Sequence, residues 1–123
     1  MTTGIIIFAH GSRIESANQA VRSVAAQLAQ AGSYPHVEAA FLELGKPDLG
    51  GAVERLEAAG VERVLVIPYF LTLGIHLERD LPALLENAAA AHPGVEITAT
   101  PPLDGHPALL TILLDRARSA DEI

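Results

Sequence analysis

The chain has 123 residues, half of them apolar, with a formal net charge of −7 and no cysteine. This length predicts one domain over residues 1–123 with a core large enough to need no disulfides. The missing cysteines exclude thiolate metal sites and cysteine nucleophiles, and the acidic balance argues against nucleic acid as a partner. With no basic leader and no apolar run of membrane-spanning length, we expect a cytoplasmic protein and no membrane partner.

The first strand and helix are clear from local pattern. Residues 4–9 form a continuous apolar run that predicts a buried strand, and residues 14–31 have the spacing of an amphipathic helix. Ser12 and Glu15 stand in the order of a capping box before that helix, and Gly32 suits its C-terminal stop. The remaining predicted elements are strand 37–44, a helix from Pro47 to Gly60, strand 62–69, a helix from Asp80 to about Ala91, edge strand 95–99 and a helix over about 107–118.

The predicted order of elements is βαβαβαβα. Short connections and right-handed crossovers turn this order into a four-stranded parallel sheet with helices on both faces. The third strand is apolar on both faces, which indicates a central position. We therefore predict an α/β, flavodoxin-like fold with strand order 2-1-3-4. Its topological switch point lies between the first and third strands, and ligands bind at such points.

Two histidines follow the two strands that flank the switch point. His10 ends the first apolar run, and His76 follows the third strand in a predicted loop. Because the carboxyl ends of parallel strands share one edge of the sheet, the two imidazoles flank one crevice, where a metal site or a proton-transfer site is expected. His10 alone also suits a phosphoryl acceptor or a histidine that anchors the backbone. Glu43, which ends the second strand at the same edge and next to His10, is a candidate third ligand or proton acceptor.

The other histidines are weaker candidates. His36 precedes the second strand and lies at the opposite edge, and His92 ends a helix, where an imidazolium suits the dipole. Asp104 and His106 follow the fourth strand at the same edge as His10, but His106 also stands directly before a helix. We expect structural roles for His36 and His92.

Basic and small residues beside the two histidines are candidates for binding anions. Arg13 and Arg79 each lie near one of the histidines, Lys46 lies near Glu43, and Gly11 precedes a helix N-terminus. Ser12 is more often a helix cap than a nucleophile, and no Gly-x-Ser-x-Gly elbow supports a hydrolase.

Three motifs together resemble those of a known family. They are Ala9-His10-Gly11-Ser12-Arg13, Phe41-Leu42-Glu43-Leu44 and Pro68-Tyr69-Phe70-Leu71-Thr72-Leu73-Gly74-Ile75-His76-Leu77-Glu78-Arg79-Asp80-Leu81-Pro82. They resemble the small sirohydrochlorin chelatases of the CbiX/SirB type, which are class II chelatases. The resemblance implies ATP-independent insertion of a divalent metal into sirohydrochlorin, with the metal as a substrate and no organic cofactor. Cobalt, in cobalamin synthesis, is favoured, and iron, in siroheme synthesis, and nickel stay open.

The resemblance also assigns residues and a partner. It implies that His10 and His76 are the metal-site residues and that Glu43 assists them in catalysis. Arg13, Ser12 and Arg79 are then candidates for holding the carboxylates of the substrate. Longer members of the family carry two such domains around one cleft, so a single domain implies a homodimer. Two other hypotheses stay open, a metal or tetrapyrrole carrier without enzymatic activity and a histidine-phosphatase-like enzyme that transfers phosphoryl groups.

Overall fold

Helices and strands alternate along the whole of the computed structural model, which describes residues 1–122. The elements are β1 (Thr3–Ala9), α1 (Glu15–Gly32), β2 (Val37–Phe41), α2 (Leu49–Ala58), β3 (Arg63–Pro68), α3 (Gly74–Ala91), β4 (Glu96–Ala99) and α4 (Pro107–Asp121). None of the helices described has both the length and the apolar character needed to cross a membrane.

The four strands form one parallel sheet in the order β2-β1-β3-β4, as predicted. β1 and β3 are the central pair, and their registers align Ile5 with Leu65 and Phe8 with Pro68. β-branched and other apolar side chains fill both faces of β1, as expected of a strand buried on both sides. The carboxyl ends of β2, β1 and β3 therefore lie side by side at one edge, which we call the C-terminal rim.

Each face of the sheet has its own apolar cluster. Under α2 and α3, the core includes Ile6, Phe8, Ala40, Val53, Leu56, Val64, Val66, Leu77 and Leu81. Under α1, a smaller cluster contains Ile5, Ile7, Ala9, Ala25, Ala39 and Phe41. Leu65 and Ile67 of β3 also face the α1 side but are only partly buried. The α1 face is thus covered over β1 and β2 and left partly open over β3.

Helix α4 has no buried residue, unlike the three helices before it. Its aliphatic side chains Leu110, Ile112, Leu113 and Leu114 are 62%, 51%, 65% and 42% exposed. Isolated helices of this length are marginal in water and depend on packing of an apolar face. The surface that this helix packs against is considered below.

The second strand is shorter than predicted. We expected residues 37–44, but β2 ends at Phe41, whose backbone N–H donates to the carbonyl of Pro47 at 2.9 Å. Leu44 has a positive φ of 56° and so turns the chain. The apolar pattern continued to Leu44 because Leu42 packs on the core from a loop. Glu43 accordingly lies in the loop after β2.

The predicted start of the third helix is wrong. We expected Asp80 and Pro82 to begin it, but α3 begins at Gly74 and carries Pro82 in its interior. Proline inside a helix leaves the carbonyl four residues earlier without its N–H partner. Pro82 is exposed, so water can reach that region of the helix. The correction places His76 in the first turn of a helix, where we expected a loop.

The predicted capping box of α1 is also wrong. The N-cap position is Ile14, which makes no side-chain cap. The Ser12 hydroxyl accepts the Ile14 backbone N–H at 3.0 Å, and the Glu15 carboxylate bonds to Arg22. At the other end, Ser33 rather than Gly32 takes the left-handed conformation, with φ of 55°.

Candidate functional site

Backbone hydrogen bonds continue the pairing of β1 and β2 beyond the strands. The Leu42 N–H donates to the carbonyl of Ala9 at 2.9 Å, and the Glu43 N–H donates to the carbonyl of His10 at 3.0 Å. These two bonds hold the loops after β1 and β2 side by side at the C-terminal rim. They bring His10 and Glu43 together although the two residues are far apart in sequence.

The His10 imidazole lies between a backbone carbonyl and a carboxylate. Its Nδ1 is 3.1 Å from the Gly11 carbonyl oxygen, and its Nε2 is 3.4 Å from Oε1 of Glu43. A carbonyl oxygen only accepts hydrogen bonds, so the contact requires a hydrogen on Nδ1. The Nε2 atom is then free to hold either a proton or a metal ion beside the carboxylate. Both side chains are more than half exposed, so ligands can reach them.

The separation of the two atoms suits a shared cation. Ligand atoms about 2.1 Å from an ion such as zinc, and at a tetrahedral angle, lie about 3.4 Å apart. The Nε2–Oε1 distance of 3.4 Å matches that separation. Imidazole and carboxylate ligands suit divalent first-row metals in general and do not select one of them. The pair can therefore hold either a proton or a metal at one point.

Gly11 allows the two loops to approach this closely. Its φ is +95°, and a Cβ built there would lie 1.6 Å from the carbonyl oxygen of Glu43. The absence of a side chain, and not backbone freedom alone, is therefore required at this position. The His10–Glu43 pair exists because glycine follows the histidine.

Asn18 joins both loops to α1, and we did not predict this role. It is 2% exposed, and its side chain accepts the Ser12 N–H at 2.8 Å. It donates to the carbonyl of Ser12 at 2.8 Å and to that of Leu44 at 3.0 Å. One signal was available in the sequence. Asn18 stands at helical spacing with the apolar residues of α1, where a polar side chain must have buried partners.

Replacing Asn18 with leucine should therefore destabilise the protein. The change keeps the size of the side chain and removes three hydrogen bonds, each worth about 1 kcal/mol. We expect a loss of about 2–4 kcal/mol in the free energy of unfolding, measured with urea. Asn87→Leu, at an exposed position of α3, is the control and should change the free energy little. Equal effects of the two substitutions would remove Asn18 from this role.

Arg22 is a second link that we did not predict. Its guanidinium donates to the carbonyl of Lys46 at 3.0 Å and lies 5.2 Å from the centre of the Phe41 ring. It also donates to the Glu15 carboxylate at 2.6 Å, and this hydrogen bond lowers the pKa of Glu15. Helix α1 is thus tied to the loop that carries Glu43.

His76 stands apart from the pair at the same rim. It lies on the exposed side of the first turn of α3, and within residues 1–122 no group of three histidine and carboxylate side chains is close enough to hold a metal. The structure thus brings together His10 and Glu43, and it places His76 after the neighbouring strand β3. A metal at this rim would need further ligands from solvent, substrate or a second polypeptide.

The candidate anion-binding residues lie in different settings. Arg13 is exposed, and Arg79 pairs at 3.3 Å with its exposed neighbour Asp80. Ser12 is held by Asn18 through its backbone and by Ile14 through its hydroxyl. All three lie within a few residues of His10 or His76 along the chain, which leaves them as candidates for contacting a ligand at the rim.

Two of the other histidines, His92 and His106, have structural partners. The Nδ1 atom of His106 accepts the Ala108 N–H at 3.0 Å and so caps α4. The Nδ1 atom of His92 lies 2.9 Å from Oε1 of Glu57, which ties the end of α3 to α2. Asp104 donates its backbone N–H to the carbonyl of Leu71 at 2.8 Å.

A parallel α/β domain with an imidazole–carboxylate pair at its C-terminal rim belongs to the class of open α/β proteins whose ligands bind at the carboxyl ends of the strands. Comparison with known proteins narrows that class. The CbiX family model matches residues 4–120, and the chain therefore belongs to the CbiX family.

Named relatives of the chain include two kinds of chelatase. A sirohydrochlorin cobaltochelatase of Methanothermobacter thermautotrophicus is 30% identical over 132 residues, covering 95% of this chain and 92% of the relative. A chloroplastic sirohydrochlorin ferrochelatase of Arabidopsis thaliana is 36% identical over 113 residues. That match covers 92% of this chain and 50% of the relative, so the chain spans about half the length of the plant protein.

Solved structures share the fold, and they include one chain of similar length and one chain about twice as long. A CbiX protein of Marinobacter aquaeolei VT8 has a TM-score of 0.85 and 32% identity, with 98% of both chains covered. The sirohydrochlorin chelatase SirB of Bacillus subtilis subspecies spizizenii, solved in complex with cobalt, has a TM-score of 0.88 and 25% identity. That match covers 97% of this chain and 51% of SirB.

Proposed function

We propose that this protein is a chelatase that inserts a divalent metal into sirohydrochlorin without ATP or an organic cofactor. Cobalt and iron are the metals that the names of its relatives indicate, and nickel is a further candidate. The observation that carries the proposal is the His10–Glu43 pair, which can exchange a proton for a metal at one point of the rim. Cobalt would assign the protein to cobalamin synthesis, and iron would assign it to siroheme synthesis.

The chemistry of the pair fits both halves of the reaction. The incoming metal binds Nε2 of His10 with Oε1 of Glu43. His76 is the further protein ligand that we propose, and it joins the pair only if α3 moves towards it, because the three side chains do not form one cluster in the structure. When the metal passes to the macrocycle, two pyrrolic protons must leave. The vacated Nε2 and the carboxylate are bases positioned to receive them, and positioned bases of this kind contribute about 10²–10⁴-fold to a rate. Metal release and proton uptake are thus coupled at the same two atoms.

The tetrapyrrole carries many carboxylates, whereas the protein has a net charge of −7. Local positive charge must offset this repulsion at the rim. Arg13 and Arg79 are exposed there, and charge-assisted hydrogen bonds to carboxylates are the strong ones. The first turns of α1 and α3 add the positive ends of two helix dipoles, with Ser12 just before α1. We assign these groups to substrate binding.

Two copies of the chain complete the site in this proposal. The cobalt-bound SirB chain is about twice as long as the part that matches this protein. A homodimer would supply an equivalent of that second half and cover the open rim. We place this dimer in the cytoplasm, where a chain without cysteine needs no oxidising environment.

Metal insertion by the purified protein tests the proposed function. Sirohydrochlorin is incubated anaerobically with cobalt, iron or nickel, and the change in absorption is followed with and without protein. We expect the protein to accelerate insertion over many turnovers for at least one metal. Product formation that stops at one equivalent of protein would indicate a carrier. Rates equal to those without protein for all three metals would contradict the proposal.

Neutralising Arg13 and Arg79 should weaken substrate binding. We expect Arg13→Gln and Arg79→Gln each to raise KM for sirohydrochlorin several-fold at low ionic strength, with a smaller effect at high salt because salt screens exposed charges. Arg63→Gln is the matched control, since Arg63 begins β3 at the opposite edge of the sheet and is also exposed. Equal changes in KM for all three variants would indicate a general effect of net charge and exclude Arg13 and Arg79 as contacts.

A further inference from the structure

Helix α4 presents an apolar stripe that is uncovered in residues 1–122. Leu110, Leu113, Leu114 and Ala117 share one side at helical spacing, and the three leucines are 42–65% exposed. Thr111, Asp115, Arg118 and Glu122 share another side, which is polar. Such a division is typical of a helix that buries one side against a sheet or another helix.

The sheet has a matching surface without a helix. Two helices cover one of its faces, whereas α1 alone packs on the other, over β1 and β2. On that second face a groove of about 570 Å³ lies beside Ile67, near the end of β3, and is bounded by the segment after β4 and the start of α4. Ile67 and Pro102 line it together with Leu109 and Ile112 from the start of α4. The molecule thus has one unpacked helix and an open apolar groove of its own.

The chain's own α4 does not close this groove because of how it leaves the sheet. The segment before it is anchored at the C-terminal rim, where the N–H groups of Leu103 and Asp104 donate to the carbonyls of Phe70 and Leu71. Pro107 then begins α4 with a fixed φ. Only residues among the first six of the helix line the groove, and the helix buries none of its residues.

We infer that two copies of this chain exchange their α4 helices, so that each apolar stripe packs over β3 and β4 of the other copy. The helix and groove occur once in each chain, so a twofold axis satisfies both copies at once, as in a closed isologous dimer. This inference rests on the homodimer of the proposed function and names the surface that forms it.

The exchange also has a consequence for the metal site. A helix that follows a parallel strand and packs on the sheet begins at the edge where that strand ends. An α4 docked on a partner therefore starts near the partner's rim while it is still joined to its own. The exchange brings the two rims, each with its His10–Glu43 pair, next to each other. The open face of one rim is then covered by the other.

Cross-linking tests the exchange, and the lack of native cysteine makes the test specific. The double variant Leu65→Cys/Leu113→Cys is treated at low protein concentration with a short bis-maleimide and run on a denaturing gel. Exchange predicts covalent dimers, and a mixture of the two single variants should give the same dimer. A covalently closed monomer, or a non-covalent dimer that does not cross-link, would overturn the inference.

A charge on the apolar stripe provides an independent measurement. Leu113→Glu should raise the dissociation constant of the dimer at least tenfold in sedimentation equilibrium, with the far-ultraviolet circular dichroism of the sheet and first three helices retained. Thr111→Glu adds the same charge on the polar side of α4 and should leave the dimer intact. A monomeric wild-type protein, or equal effects of the two variants, would contradict the exchange. Neither readout uses metal or tetrapyrrole, so this outcome is separate from failure of the chelatase proposal.

Discussion

Replacement of His10 by alanine is expected to lower the rate of metal insertion at least about 100-fold. The imidazole is both a proposed metal ligand and a proposed base, and loss of a positioned base alone removes about 10²–10⁴-fold. The substitution removes the imidazole that lies 3.4 Å from the Glu43 carboxylate. The metal then loses one of its two adjacent ligands, and the pyrrolic protons lose one of two adjacent bases.

The same loss is expected for His76→Ala, because His76 is the other proposed ligand at the rim. The double variant should be little worse than either single variant, since groups that act as a unit are far from additive. Both side chains are exposed, and surface substitutions usually change stability by no more than about 0.5 kcal/mol. The loss of rate should therefore occur in folded protein.

The assay and its control follow from the topology. Initial rates of insertion into sirohydrochlorin are measured together with circular dichroism for each variant. His36→Ala is the matched control, because His36 precedes β2 and lies at the opposite edge of the sheet. Rates like that of the wild type in His10→Ala and His76→Ala would refute the site assignment, and a comparable loss in His36→Ala would make it unspecific.

Replacement of Gly11 by alanine should cost both stability and activity. The new Cβ would lie 1.6 Å from the carbonyl oxygen of Glu43, so the loops after β1 and β2 must separate. That movement breaks the hydrogen bond from the Glu43 N–H to the His10 carbonyl and pulls the imidazole from the carboxylate. Left-handed backbone adds strain of about 1–3 kcal/mol for a residue with a side chain.

Gly60 separates the two effects of that substitution. Its φ is +91°, close to the +95° of Gly11, but nothing lies within 4 Å of the Cβ that alanine would add. Gly60→Ala should therefore show the backbone strain alone. We expect Gly11→Ala to lower the free energy of unfolding by about 2 kcal/mol more than Gly60→Ala, and to lose metal insertion while Gly60→Ala retains it. If urea denaturation gave the same loss in free energy of unfolding for both variants, the close approach of Gly11 to the Glu43 carbonyl would not contribute to stability.

Periodicity predicted most of the fold because it reports burial directly. The runs at β1 and β3 are apolar on both faces, and only a central position in a parallel sheet explains that pattern. Strand order followed from short, right-handed connections, and the structure has the predicted 2-1-3-4 order. The errors occurred where local signals have two meanings. Pro82 is typical of a helix start but lies within α3. Ser12 and Glu15 have the spacing of a capping box, but the Ser12 hydroxyl bonds to Ile14 and the Glu15 carboxylate bonds to Arg22.

The candidate site, like the fold, could be predicted from the sequence only in part. The order of elements was enough to predict that His10, Glu43 and His76 lie at one edge, because parallel strands end together. The strand order also placed Glu43 next to His10, but it was not enough to predict that the two side chains come within 3.4 Å of each other while His76 stands apart on α3. That outcome depends on hydrogen bonds between loops and on the space left by Gly11, which no periodic pattern records. The links through Asn18 and Arg22 are of the same non-local kind.

The sequence by itself determined the fold class, the strand order and the edge at which the chemistry lies, because these follow from burial and chain connectivity. The tertiary structure decided which side chains meet, through contacts between residues distant along the chain. It also left the apolar side of α4 without a surface to pack on within residues 1–122. Local pattern specifies that a helix has an apolar side, but only the arrangement of the whole chain decides where that side is buried.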